Sequence, residues 1–412
     1  MNPRDSSILK KPTESLLMAS VAHWRAEQLA RSAFTVERIN FSELEHWKFH
    51  DGLLRHDTGG FFSVVGHVTK LRETSKRDTQ PFILQPEIGI LGFLLGRTAN
   101  EIRLLVQAKT EPGNCGGTQL SPSFQCTESN YRGLHGGHVA PFRSIFTGHN
   151  EVKPISDSLQ SEQGTRFVDK YNRNTISEVD VGDIDLSDPA MAAWRWLTIP
   201  EIGLLLTQDL IFNTDARSVI ATASWRDIHP QGQPFSRWKN REDFGTLLAT
   251  SFHTTLELDR REVILAWLST QREKLQISSR IQPLNSLPGW RVTPEGIEPL
   301  NPHSQVAIRY YRVHAQDREV ASWTQPLVNS NTEGQVLLVA QEREGILRFA
   351  LNLSVEPGFA NLAQLSATHQ TFPGEVNHRA PSVALLAQSK ALAPDHEALI
   401  FDCRMSEEGG RF

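Results

Sequence analysis

The segment from Lys109 to Gln125 combines acidic, basic and amide side chains of the kinds used in acid–base chemistry and ligand binding. It reads KTEPGNCGGTQLSPSFQ and is followed by SNYRGLHGG at 129–137. Its Pro-Gly and Gly-Gly turns let backbone amides come close to a ligand, because glycine has no side chain. Lys109 and Glu111 stand beside apolar residues, where burial and neighbouring charge shift pKa values. The segment is therefore the first candidate site, with a simple turn around Glu111-Pro-Gly as the alternative.

A second polar cluster occupies positions 157–174 and mixes amides with cations. Arginine forks bind phosphate oxygens in two-point contacts, so such a set suits a sugar joined to a diphosphate. Surface salt bridges are the competing explanation.

Several familiar catalytic and metal-binding motifs are missing from the sequence. It contains no GxxxxGK[ST] phosphate loop, no GxGxxG after a strand and no GxSxG nucleophile elbow. His135 and His138 have neither a third ligand at a suitable spacing nor a helix to present both rings on one face, so we predict no metal site. Cys115, Cys126 and Cys403 are too few and too scattered for a disulfide framework or a zinc site.

The chain repeats itself at a spacing of 245 positions. Glu111-Pro-Gly recurs at 356–358, and five of the seven residues in 161–167 recur in 406–412. A period of this length indicates a duplicated domain, not a solenoid repeat. The second copy has lost Lys109, Asn114, Tyr131 and His135, whose positions it fills with other residues, namely Ser354, Phe359, Val376 and Ala380. This loss favours a working site in the first copy, although drift also erodes surface polarity.

Alternating helical and strand patterns predict an α/β (α+β) fold. Helices are predicted at 13–32, 199–211 and 256–276, and short strands at 61–68, 90–95, 102–108, 118–127, 176–181, 306–313, 335–340, 346–355 and 362–371. We expect a first domain at 1–225, a linker at 226–250 and a second domain at 251–412. The second copy has no counterpart of residues 168–225, so we expect it to be incomplete at its C-terminus.

Charge and hydropathy exclude two classes of partner. The net charge of −5 is spread along the chain without the basic stripe that nucleic acid or an anionic membrane requires. No run approaches the ~20 apolar residues of a spanning helix, and the start has no apolar signal core. These features, together with the few scattered thiols, predict a cytoplasmic protein.

Long motifs in a consistent order resemble the NDP-hexose 2,3-dehydratases of deoxysugar biosynthesis. They are QPEIGILGFL at 85–94, AKTEPGN and QLSPSFQ within 108–125, SNYRGLHGG, DSLQSEQG at 157–164, KYNRN at 170–174, DLIFNTDARSV at 209–219, REVASWTQPL at 318–327 and SEEGGRF at 406–412. The resemblance covers nearly the whole chain. It implies two tandem Nudix-like domains and a homodimer. The metal-binding Nudix box is absent, which argues against diphosphate hydrolysis.

The resemblance also implies a reaction. Water is eliminated from a dTDP-linked 4-keto-6-deoxyhexose, and the product is a 3,4-diketo-2,6-dideoxy sugar for antibiotic biosynthesis. The C4 ketone makes the C3 hydrogen acidic, so no cofactor is expected, and a downstream 3-ketoreductase is the expected partner enzyme. The protein must supply a base, an acid for the departing hydroxyl group and donors to the C4 oxygen.

Within this scheme we expect Glu111 or His135 to be the base and Tyr131 to be the acid. The expected substrate-binding residues are Lys109, Asn114, Gln119, Gln125, Gln160, Gln163, Arg166 and Arg173. Two other functions stay open at this point. One is a non-catalytic pseudoenzyme that binds a nucleotide sugar, and the other is a Nudix-type hydrolase of nucleotide sugars.

Overall fold

The computed structural model describes residues 5–71, 77–133, 140–148, 152–229, 242–254, 258–275, 277–304, 306–316, 318, 320–330, 332–372, 399–407 and 410–411. Helices and strands alternate in a mixed α+β architecture. The described helices are α1 Asp5–Ser32, α2 Glu128–Tyr131, α3 Arg143–Phe146, α4 Ile199–Leu206, α5 Thr214–Thr222, α6 Trp225–Ile228, α7 Glu242–His253 and α8 Leu258–Lys274. Within the described part of the chain, none of these helices combines the length and the apolar character needed to cross a membrane.

The strands are short, as the sequence predicts. Those of the first half are β1 Thr35–Ile39, β2 Trp47–His50, β3 Leu53–His56, β4 Ser63–Leu71, β5 Arg77–Leu84, β6 Gly89–Arg97, β7 Ile102–Lys109, β8 Gln119–Ser121, β9 Phe124–Cys126, β10 Pro154–Ser161, β11 Phe167–Val168, β12 Tyr171–Val179 and β13 Trp194–Thr198. Those of the second half are β14 Ile277–Gln282, β15 Trp290–Thr293, β16 Gly296–Pro299, β17 Val306–His314, β18 Ser322–Ser330, β19 Gln335–Leu337, β20 Val339–Arg343, β21 Ile346–Ala350, β22 Asn352–Val355, β23 Ala363–Ser366 and β24 His369–Thr371.

Three larger sheets organise these strands. One runs β10-β12-β6-β7-β13, with β8 beside β7 and β9 beside β6. A second runs β11-β5-β4-β3-β2, with β14 beside β4, and a third runs β1-β17-β16-β15, with β18 beside β17. The remaining described strands form the pairs β19-β24, β20-β21 and β22-β23. The C-terminal ends of β7 and β9 and the start of β12 therefore lie at the same end of the first sheet. This arrangement brings the two polar clusters of the sequence close together.

The two copies exchange their first strands. β1, from the first copy, pairs antiparallel with β17 of the second, from Thr35 opposite His314 to Ile39 opposite Tyr310. β14, from the second copy, pairs in the same way with β4 of the first. Two of the sheets thus contain strands from both predicted domains. The predicted linker at 226–250 overlaps α6 and most of α7, and residues 230–241 lie outside the described ranges.

The largest apolar core lies between the first sheet and three helices. Trp24 of α1, Ile202 of α4 and Val219 of α5 pack against Phe93 and Leu104 of the sheet. Local sequence signals produce these helices. The Thr198 side chain caps α4 and pairs with Glu201 in a capping box, as the sequence predicts.

Five predicted elements differ from the structure. The strands predicted at 335–340, 346–355 and 362–371 are each divided between two strands, namely β19 and β20, β21 and β22, and β23 and β24. The helix predicted at 199–211 ends at Leu206, and the chain then turns with Leu210 in the left-handed region at φ +57°. The strand predicted at 118–127 is two strands, β8 and β9, separated by Pro122 and Ser123. Proline has no N–H to donate to a sheet ladder, so it interrupts the pairing.

Candidate functional site

Three donors converge on the carboxylate of Glu111, just beyond the end of β7. Glu111 Oε1 lies 3.0 Å from Lys109 Nζ and 3.4 Å from Arg318 of the second copy. Its Oε2 accepts a hydrogen bond of 2.8 Å from Gln125 Nε2. The side chains of Lys109 and Glu111 are only 8% and 18% exposed, so this ion pair is largely shielded from water.

This environment keeps Glu111 ionised. Burial by itself raises the pKa of the Glu111 carboxyl, but the charges of Lys109 and Arg318 and the hydrogen bonds from Lys109 and Gln125 outweigh it and hold that pKa below its ordinary value. A carboxylate with a lowered pKa is a weak proton acceptor. Glu111 is therefore arranged to hold the Lys109 ammonium and the Arg318 guanidinium in place.

The turn after Glu111 is closed by Asn114 and lies against the second copy. Asn114 Oδ1 accepts a hydrogen bond of 2.8 Å from the Glu111 amide. Gly113 has φ +91°, and a Cβ there would lie 2.2 Å from the backbone oxygen of Glu407. Only glycine fits both this conformation and this contact.

The two glutamines of this segment are both hydrogen-bonded to protein groups. Gln119 is fully buried and donates to Ser406 Oγ at 2.6 Å and to the backbone oxygen of Cys115. Gln125 Oε1 accepts from Asn213 Nδ2 at 3.1 Å. Asn213 also caps α5 through its Oδ1, so it joins this helix to the polar network.

Arg411 ties the second polar cluster to the same place. Its guanidinium donates to Glu162 Oε1 and Gln163 Oε1, each at 3.1 Å. Glu162 Oε2 accepts from Asn172 Nδ2 at 3.0 Å, and Gln163 Nε2 lies 3.4 Å from Glu407 Oε1. Since Glu407 and Arg411 also touch the turn at Gly113, the two clusters form one network. We call it the composite site: Lys109, Glu111, Gln119, Gln125, Glu162, Gln163 and Asn213 from the first copy, and Arg318, Ser406, Glu407 and Arg411 from the second.

The contact between the copies is reciprocal. The turn at Gly113 packs on 407–411, and the equivalent turn at Gly358 packs on 164–167, where a Cβ would meet the Phe167 oxygen at 1.8 Å. Gln119 bonds Ser406, and the equivalent Gln364 accepts from Ser161 Oγ at 2.6 Å. Each copy therefore presents its Glu-Pro-Gly turn to the Ser-Glu segment of the other.

Other predicted site residues lie apart from the Glu111 carboxylate. Arg173 forms a two-point ion pair with the exposed Asp157, at 2.7 and 2.9 Å. Gln160 donates to Ser158 Oγ, and the buried Arg166 donates to the backbone oxygen of Thr165. The structure therefore engages these three side chains with groups of the protein itself.

Tyr131 ends α2, and burial is the main cause that raises the pKa of its phenol, with Glu128 next in effect. This helix is attached to Glu87, whose carboxylate accepts from the Ser129 amide at 2.6 Å. A phenol is protonated at neutral pH, as an acid requires, and the raised pKa makes Tyr131 a weaker proton donor than a free tyrosine. His135 lies outside the described residues.

All site residues expected from the sequence lie in the first copy, so the sequence did not identify the residues that the second copy contributes. Arg318 is 207 positions from Glu111, and Ser406 is 287 positions from Gln119. The signal that was available is the repeat itself, because SEEGGRF recurs where SEQGTRF stands in the first copy. Lys170 was also left out, although it stands between Arg166 and Arg173 in the second cluster.

A family model described as "NDP-hexose 2,3-dehydratase" matches residues 18–223 and 261–412. The chain belongs to the NDP-hexose 2,3-dehydratase family. The two matched segments correspond closely to the two copies, and the family name places the chain among the sugar hydro-lyases.

Curated relatives agree with the family match. A "dTDP-4-dehydro-6-deoxy-alpha-D-glucopyranose 2,3-dehydratase" from Saccharopolyspora spinosa is 31% identical over 94% of this chain and 79% of its own length. A relative of the same name from Amycolatopsis orientalis is 33% identical over 95% of this chain and 78% of its own length. A third, from Streptomyces violaceoruber, is 32% identical over 94% of this chain and 84% of its own length.

Proposed function

We propose that this 2,3-dehydratase eliminates water from a dTDP-linked 4-keto-6-deoxyhexose and forms a 3,4-diketo-2,6-dideoxy sugar. The names of the three relatives support the dTDP sugar as substrate. The observation that carries the proposal is the composite site, where ionised Glu111 holds Lys109 and Arg318 beside amide side chains of the first copy and the Ser406 hydroxyl group of the second. Fixed charges and donors of this kind stabilise the oxyanion that forms when C3 loses its proton.

Roles within the site follow from what each group already binds. Both Glu111 oxygens accept hydrogen bonds or ion pairs, so we assign Glu111 to anchoring Lys109, and His135 is our candidate for the base on the basis of the sequence alone. Tyr131 is the proposed acid, since a phenol carries at neutral pH the proton that the departing hydroxyl group needs. Lys109 is a proposed donor to a sugar oxygen.

The remaining assignments have separate support. The reciprocal contacts between the copies favour two domains from a duplication, with boundaries near 1–225 and 251–412. The Nudix-like character of these domains is proposed from the family resemblance. A homodimer is supported by the exposed apolar side chains of Val263, Ile264 and Trp267 on α8. We also propose a downstream 3-ketoreductase, because the product is a reactive diketone that a reductase would consume. A cytoplasmic location and a place in antibiotic biosynthesis belong to the same proposal.

The test is to incubate the purified chain with dTDP-4-keto-6-deoxyglucose, with and without a 3-ketoreductase and NADPH. We expect a nucleotide sugar that is one water lighter, and its 2-deoxy reduction product when the reductase is present. Unchanged substrate together with measurable binding by calorimetry would favour the pseudoenzyme. Release of dTMP would favour the Nudix-type hydrolase.

Metal dependence separates the elimination from hydrolysis. We expect turnover to be unchanged in excess EDTA, because the sequence contains no Nudix box and the proposed acid, base and donors are side chains. The measurement is the initial rate before chelation, after chelation and after magnesium is restored. A rate that falls with EDTA and recovers with magnesium would contradict the proposed chemistry.

A further inference from the structure

Lys170 follows β11, and its ammonium group is nearly removed from water. The residue is 5% exposed, and Nζ donates a hydrogen bond of 2.5 Å to the backbone oxygen of Glu87. An ammonium has three donors. The other two have no hydrogen-bond or ion-pair partner among the residues that the structure describes.

The charges around Lys170 come from three separate segments. Glu87 precedes β6, Glu162 follows β10, and Asp215 lies in the first turn of α5. These carboxylates raise the pKa of the Lys170 ammonium, but burial is the larger effect and leaves that pKa below its ordinary value. None of the three lies within ion-pair distance of Nζ among the described contacts.

Its neighbours place Lys170 where the parts of the composite site meet. Glu162 holds Arg411, and the Glu162 amide donates to the backbone oxygen of Lys170 at 2.9 Å. Asp215 stands two residues after Asn213, which binds Gln125. Glu87 holds α2, which carries Tyr131. Lys170 therefore lies between the Arg411 contacts, the Glu111 network and the proposed acid.

A purely structural role does not explain this placement. Burying an ammonium costs free energy unless it is paired and hydrogen-bonded, and one carbonyl contact offsets only part of that cost. A methionine would fill similar space without the penalty. A buried cation with unused donors next to a candidate site is instead what an anionic ligand atom requires.

We propose that Lys170 is a catalytic residue that donates to the C4 oxygen of the sugar as negative charge develops there. The proposal rests on the proposed dehydration. The base takes the C3 proton, the electron pair of that C–H bond forms a C3–C4 double bond, and the C4 oxygen becomes an enolate bound to Lys170 Nζ. A lone pair of the enolate oxygen then re-forms C4=O, the electron pair of the C3–C4 double bond moves to form C2=C3, and the C2–O bond breaks with its electron pair leaving on the hydroxide. The hydroxide takes the proton of the acid and leaves as water, and the remaining C3 enol becomes the ketone by moving its proton to C2.

The experiment compares Lys170→Met and Lys170→Arg with wild type, with Lys153→Met as the control for an exposed lysine. We measure kcat, KM, exchange of the C3 hydrogen in D2O and the melting temperature. For Lys170→Met we expect kcat and C3 exchange to fall by roughly 10²–10³-fold, the effect of removing one oxyanion donor, while KM changes little. The melting temperature is expected to stay the same or rise, because a buried charge has been removed.

The pH dependence of kcat distinguishes a catalytic lysine from one that only stabilises the fold. A donor must be protonated, so wild-type kcat is expected to fall as pH rises through the lowered pKa of Lys170, with Glu87, Glu162 and Asp215 as the charges that face it. Lys170→Arg should move this alkaline limb to higher pH. A wild-type kcat in Lys170→Met, or a rise in KM alone, would overturn the proposal. An inactive wild-type enzyme would overturn the proposed function itself.

Discussion

At Glu111, the oxygens of one carboxylate accept contacts from Lys109, Gln125 and Arg318. The donors come from different parts of the chain, so the carboxylate fixes their positions relative to one another. Lys170 is the contrasting case, since its ammonium is buried with a single described acceptor. Glu111 organises the charged side chains of the site, whereas Lys170 keeps N–H donors for a ligand.

We predict that Glu111→Gln destabilises the protein by roughly 3–5 kcal/mol, because it leaves the Lys109 ammonium buried without its anion. The double variant Lys109→Met/Glu111→Leu should recover part of this loss, since no unpaired charge remains. Urea unfolding measures both. Glu344→Gln, at an exposed ion pair, is the control and should unfold like wild type. Turnover should fall in Glu111→Gln and persist in Glu356→Gln, and equal losses of turnover would move the working site out of the first copy.

We also predict that stability decreases at acidic pH through His67. This side chain is buried against Phe82, and burial lowers the pKa of its imidazole, although Asp169 and Asp78 oppose the shift. The unfolded chain then binds the proton more tightly than the folded one, so the free energy of unfolding falls as pH drops below the ordinary histidine value of about 6.5. His67→Phe should flatten this dependence between neutral pH and about pH 5, whereas exposed His303→Asn should keep the wild-type slope. Identical slopes in all three proteins would show that His67 is not responsible.

Among the elements, the turn between β7 and β8 joins several parts of the site. It starts at Glu111, is closed by Asn114, and lies against the backbone of 407–411. Arg25 of α1 also contacts it by donating hydrogen bonds to the Thr118 and Leu210 backbone oxygens. This turn therefore provides one of the contacts through which the second copy reaches the first.

We predict that Gly113→Ala costs more stability and activity than Gly133→Ala. Both glycines have positive φ, which costs an alanine about 1–2 kcal/mol. At Gly133 a Cβ meets nothing within 4 Å, whereas at Gly113 it lies 2.2 Å from the Glu407 oxygen, so the two copies must separate. Melting temperature and kcat report the difference. Equal effects of the two substitutions would mean that the contact with Glu407 contributes little.

At the scale of the whole molecule, the exchange of β1 and β14 makes the two copies interdependent. Each copy lends its first strand to a sheet of the other, and each presents its Glu-Pro-Gly turn to a segment of the other. Cutting the chain between the copies leaves exposed strand edges on both pieces, which favour aggregation.

We therefore predict that residues 1–229 and 242–412, produced separately, do not fold independently but restore activity when they are co-expressed. Circular dichroism and thermal unfolding of each fragment, and turnover of the mixture, are the measurements. The intact chain should unfold in one transition by tryptophan fluorescence and by circular dichroism. A sharp transition at the wild-type temperature for residues 1–229 alone would contradict this interdependence.

The sequence by itself determined the features that depend on neighbouring positions. Thr198 and Glu201 predicted the start of α4, which the structure confirms, because a capping box acts over three residues. The ordered motifs predicted the family, which the family match confirms. Lys109, Glu111 and Gln125 were singled out together, and the structure brings them into direct contact.

Only the tertiary structure decided which residues complete the site. Arg318 and Ser406 reach the first copy across more than two hundred positions, and no periodicity or local propensity encodes such a contact. The exchange of β1 and β14 was equally hidden, because a strand reads the same in sequence whichever sheet it joins. Pairing partners are selected when whole faces of sheets pack against each other in the folded chain. This packing brings Arg411 to Glu162 and buries Lys170 against the Glu87 backbone oxygen.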